Sequence, residues 1–201
     1  MGTRIVYNAL SIAKQMDCCI YIVLDAFFAI GPVFLAVSVY TIALRTPWVH
    51  IITRAKKSTV AYLEPEPDPP GKRGRKKQYG EKIKLKKIFE QRSDEFSKAQ
   101  CFVYGHMETI KILCLDLLWK PIKGKIRFVF AITSRGPIIV MCSDLTLPAT
   151  CILELYCRRS AIENTFSVLK NQIGGLAYHL FNQFYFFLIF YFFDFSFSGQ
   201  F

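Results

Sequence analysis

Apolar residues in the first quarter of the chain come in blocks, each with its own spacing. Residues 3–16 carry them at helical intervals, which predicts an amphipathic helix there. CIYIVLD is a short continuous apolar run and predicts a strand over 19–25 that ends on Asp25. A helix over about 27–42 and a strand over 48–54 follow, with Gly31-Pro32 as punctuation near the helix start. Taken as one block, residues 20–44 hold no charge but Asp25 and are long enough to cross a bilayer. An aspartate a quarter of the way into a span is costly. The block is therefore read as a buried strand followed by a buried helix, and no stable membrane association is expected.

The pattern then changes. EPEPDPPG, residues 64–71, alternates acid with proline and predicts an extended, solvated loop. GKRGRKKQYGEKIKLKK, residues 71–87, holds nine basic side chains opposed only by Glu81. Within it Lys82, Lys84 and Lys86 alternate with Ile83 and Leu85, as a strand with one wet face does. CFVYGHM, TIKILCLDLLW, KIRFVFAIT and PIIVMCS predict strands of a mainly antiparallel region. A long helix from about Pro148 to Ile173 ends at Gly174-Gly175. The aromatic run FYFFLIFYFF at 184–193 is too short to span a membrane alone. The order is that of an α/β core interrupted by a β-rich insertion. The expected segments are 1–57 and 137–175 for the core, 58–136 for the basic insertion and 176–201 for an aromatic tail.

The long helix poses a question of its own. With a step of about 100° per residue, Tyr156, Arg159, Glu163 and Lys170 fall within roughly 60° of arc. Cys151, Leu155, Ile162, Phe166, Leu169 and Ile173 form an adjoining apolar stripe, so the charged stripe borders the buried face. A helix that needed only solubility would carry its charges on the far side.

Composition narrows the classes. A chain of 201 residues with 52% hydrophobic content can build a core. The net charge of +11 points to a polyanionic partner, nucleic acid or an anionic membrane surface. Seven cysteines with no zinc-type spacing read as free thiols in a reducing compartment. His50, His106 and His179 have no metal-ligand partners nearby in the sequence. The carboxylates carry more. Asp25 ends an apolar strand, where functional groups of open α/β sheets gather, although a helix cap is the plainer role. Asp144 ends PIIVMCS and also precedes a helix, and Glu163 lies mid-helix one turn after Arg159. Clustered carboxylates suit hard divalent ions, and two such ions about 4 Å apart can split a phosphodiester.

The spacing Tyr156-x2-Arg159-x3-Glu163-x6-Lys170 resembles the C-terminal signature of DDE transposases from bacterial insertion sequences. VLDAFFAIGPVFLAV…VHIITRAKK is similar to that group's block around its second catalytic aspartate. The resemblance implies a ribonuclease H-like core, with Asp25 and Glu163 as catalytic acids holding Mg2+. An alternative alignment makes Asp25 the first acid and Asp144 the second. By the same resemblance Tyr156, Arg159 and Lys170 contact DNA at the transposon end, and Arg54 closes the strand after Asp25 with a further basic group. Lys72, Arg73, Arg75, Lys76 and Lys77 resemble an Arg-Gly-Arg minor-groove element, with plain phosphate contact as the other reading. The family further implies homodimers and a cytoplasmic, nucleoid-associated location. One feature departs: Asp17 is the only acid ahead of Asp25, and it does not lie on a separate strand. The expectation is thus a core incomplete at its N-terminus, and a chain that does not cut DNA alone. A non-catalytic DNA-binding remnant and a small basic membrane protein are the alternatives.

Overall fold

Ile20–Leu24 (β1) is apolar and buried at all five positions, as a strand covered on both faces must be. The computed structural model that contains it describes residues 2–16, 19–44, 49–56, 58–67, 74, 76–159 and 189–192. Ahead of β1, Gly2–Met16 forms helix α1, with Val6, Ala9, Leu10 and Ala13 buried at helical spacing. After it, Gly31–Leu44 forms α2 and Val49–Arg54 forms β2, which pairs in parallel with β1 from Ile20↔Val49 to Leu24↔Thr53. The expected helix start near residue 27 is shifted. Ala26–Phe28 is a separate 3-10 turn, and α2 begins at Gly31-Pro32, where proline's missing N–H costs nothing in a first turn.

The sheet continues through the β-rich middle. Val60–Tyr62 is β3, Lys82–Lys84 is β4, and the four-residue helix Ile88–Gln91 is α3. Ser97–Val103, His106–Trp119, Gly124–Thr133 and Gly136–Cys142 are β5 to β8, and Ile189–Phe192 is β9. The strand order is β4-β3-β6-β7-β8-β2-β1-β9, with β5 also paired to β6. Only the β1–β2 pair is parallel among these ladders. Two expectations are corrected in this region. CFVYGHM is not one strand, because Tyr104 at φ 53 and Gly105 at φ 95 turn the chain from β5 into β6. Lys86 lies in a 3-10 turn, Leu85–Lys87, which lets Leu85 and Ile88 reach the core together.

Alternation along the strands divides the core in two. Ile20, Ile22, Leu24, Phe128 and Phe130 face α1 and α2, while Tyr21, Val23, Val129 and Ala131 face the other side. There they meet Ile152, Leu153, Leu155 and Tyr156 of a helix whose described part is 149–159, here α4. The result is three layers, with helices on both faces of one mixed sheet. Six cysteines among the described residues are free, with Cys101, Cys142 and Cys157 buried. No described helix is long and apolar enough to cross a membrane.

Candidate functional site

Because β1 and β2 run in parallel, Asp25 and Arg54 emerge at the same, carboxyl end of the pair. The Thr53 hydroxyl donates to the Asp25 carbonyl oxygen at 2.9 Å and ties the two strand ends together. The Asp25 carboxylate is divided between two tasks. Oδ1 accepts the Phe27 N–H at 3.0 Å and caps the 3-10 turn. Oδ2 lies 3.5 Å from Nη1 of Arg159, and the Asp25 side chain remains 54% exposed.

Arg159 comes from α4, which the second core cluster holds against the sheet. Its guanidinium carbon is 5.7 Å from the Tyr156 ring centroid. Tyr156 is more deeply placed than the helical arc implied, at 7% exposure. The sheet covers a wider face of α4 than a single stripe. Burial raises the Tyr156 hydroxyl above its ordinary pKa, with Arg159 and Arg54 pulling the other way. It is therefore a proton-bearing donor at neutral pH.

Asp144 lies elsewhere. β8 runs antiparallel to β2, which brings Asp144 to the amino end of β1. There the Tyr21 hydroxyl donates to Oδ2 at 2.7 Å, and the Thr146 N–H and hydroxyl donate to Oδ1 at 2.8 and 2.6 Å. Asp144 is 7% exposed, and four residue steps along the strand, roughly 13 Å, separate its partner Tyr21 from Asp25. Arg54, Lys76 and Lys77 are exposed. Glu163, Lys170, Lys72, Arg73 and Arg75 lie outside the described residues.

Among the described residues, no three His, Cys, Asp or Glu side chains gather to hold a metal ion. Asp25 supplies a single carboxylate, already engaged by a backbone N–H and facing a guanidinium. Alone it does not fit a two-ion centre, which needs several oxygen ligands. Two residues absent from the sequence reading border the same end of the sheet: Tyr104 in the β5–β6 turn and Arg135 in the β7–β8 turn. Their sequence signals are the Tyr-Gly and Arg-Gly-Pro steps, which mark turns and not functions.

These features define an α/β protein with an acid and several arginines gathered beyond the carboxyl ends of two parallel strands. Residues 22–192 match the family model of the transposase DDE domain, and the chain belongs to that family. No curated protein and no solved structure shows a significant match to it. Membership gives transposase function in general terms and DNA as the substrate of such domains, which generally use divalent metal ions. The mixed sheet is compatible with a ribonuclease H-like fold.

Proposed function

We propose that this chain is a transposase of the insertion-sequence branch that binds DNA at the carboxyl end of β1 and β2 and does not cut it unaided. The observation that carries the reading is the 3.5 Å approach of Arg159 to Asp25, which joins the strand-end acid to the signature helix. Tyr156, Arg159, Arg54 and the basic residues Lys72, Arg73, Arg75, Lys76, Lys77 and Lys170 are the proposed DNA contacts. Guanidinium and ammonium groups match phosphate oxygens through charge-assisted bonds. Glu163 is the proposed partner of Asp25 toward magnesium. Two carboxylates offer fewer oxygen ligands than a two-ion centre needs, which supports the non-cutting part of the reading. Residues 58–136 are proposed as the insertion, 1–57 and 137–175 as the core and 176–201 as an aromatic tail, with homodimers as the working assembly.

A gel shift with duplex DNA, run beside a plasmid-nicking assay in Mg2+, tests this. The expected result is a salt-sensitive shift without nicking, weakened by charge reversal at Arg73 and Arg75. Metal-dependent nicking that Glu163→Gln abolishes would overturn the non-cutting part. The lack of any shift at low salt would overturn the DNA-binding part.

A further inference from the structure

A recess of about 240 Å³ lies between the tips of two hairpins and α4. Three guanidiniums border it: Arg54 from the end of β2, Arg135 from the β7–β8 turn and Arg159 from α4. Tyr104 and Tyr156 supply the aromatic walls. The Arg135 guanidinium carbon sits 4.0 Å above the Tyr104 ring centroid. Such a stack occupies the flat face of the guanidinium and leaves its in-plane N–H donors available. The ring beneath is anchored in turn, since the Tyr104 hydroxyl interacts with Thr133 and Cys157. The Arg135 backbone N–H donates to the Thr133 hydroxyl at 3.3 Å, which braces the second tip as well.

Among the described residues, the carboxylates of Asp25 and Glu108 stand close, and neither lines the recess. Asp25 faces Arg159, and Glu108 accepts the Ser134 N–H and hydroxyl. Among the described residues, three cations thus border the recess and no acid lines it. That arrangement attracts an anion, and it lies beside exposed Asp25, where the DNA-binding reading above would bring a strand. We propose that the recess binds one backbone phosphodiester of DNA, with Arg135 stacked on Tyr104 as its outer wall and Arg54 and Arg159 as its inner one. Arg135 is a positioning residue, which sets where the strand lies relative to Asp25. The proposal rests on the DNA-binding reading above and adds the hairpin tips to it.

The test uses the whole 201-residue chain. A labelled DNA duplex is titrated by fluorescence anisotropy across a salt series, and thymidylyl-3′,5′-thymidine, which carries one phosphodiester, is titrated by amide NMR shifts. Arg135→Gln is expected to weaken duplex binding about tenfold and to flatten the log–log salt slope by about 0.9, one phosphate contact. Arg135→Lys keeps the charge but not the planar fork, so it should hold the slope and lose part of the affinity. Tyr104→Leu, which removes the ring beneath Arg135, should act in the direction of Arg135→Gln. The dinucleotide should shift the amides of residues 104–105 and 135–138. If Arg135→Gln binds the duplex with the affinity and slope of the native chain, the recess is not a phosphate site and the DNA-binding reading stands. If the native chain fails to bind duplex at low salt, that reading falls. In that case dinucleotide shifts at the hairpin tips keep the recess as a phosphodiester site, and their absence overturns it too.

Discussion

Asp25 and Asp144 are both strand-end aspartates before a turn, and the sequence offers little to separate them. Their surroundings differ sharply. Asp25 is half exposed, and one oxygen serves a cap while the other meets Arg159, so its capping and site readings describe two atoms of one group. Asp144 is enclosed, with donors on both oxygens. Burial by itself would raise the Asp144 carboxyl, but hydrogen bonds from Thr146 and Tyr21 outweigh it and hold the pKa below the ordinary 3.8. A lowered folded pKa contributes stability above the unfolded value and loses it as pH falls through the folded one. Tyr21→Phe should therefore cost about 1.5–3 kcal/mol near neutral pH, the worth of a hydrogen bond to a buried charge. Urea denaturation should show that the deficit shrinks in acid, below about pH 4. A deficit constant with pH would mean that Tyr21 acts through packing alone.

Among the elements, the long strands were legible because alternation and continuous apolar runs survive any local detail. What could not be read were the places where one backbone angle or one tight contact decides. The left-handed Tyr104 that splits CFVYGHM is one such place. The start of α2 is another. A Cβ on Gly31 would lie 2.9 Å from Pro121 Cβ and 3.1 Å from its carbonyl oxygen, so the helix begins where a glycine allows the β6–β7 connection to approach. Gly31→Ala should cost about 1–3 kcal/mol through this overpacking, measured as a lower urea midpoint. An unchanged midpoint would show that the connection yields freely. Arg127 works at the same scale. It grips Asp116 across the β6–β7 ladder at 2.7 and 2.8 Å and donates to the Leu147 carbonyl at 3.0 Å, which fastens the approach to α4.

For the molecule as a whole, the sequence conveyed the class and named some of the residues that gather at one sheet end. Charge, the strand-end acid and the helix signature all lie within short windows, and Asp25, Arg54 and Arg159 do meet at one end of the sheet. Tyr104 and Arg135 were out of reach because only the successive pairing of β5 with β6, β6 with β7 and β7 with β8 brings two hairpin tips 31 residues apart into one stack. The same pairing makes the core and the β-rich middle one hydrogen-bonded sheet. Denaturation followed by tryptophan fluorescence, which includes buried Trp119 against Phe34, should coincide with that followed by far-UV circular dichroism. Separate transitions would reveal two folding units.

β8 has ladder partners on both sides, β7 from Gly136 to Cys142 and β2 from Val140 to Cys142. It acts as a rivet. An unbroken series of ladders joins the hairpin tips to the strands that carry Asp25 and Arg54. Tension applied at Arg135 passes through β8 into β2, and across Thr53 to the backbone of Asp25 itself. A DNA strand held at the tips would be held at a set spacing from the acid, by a frame and not by a jaw.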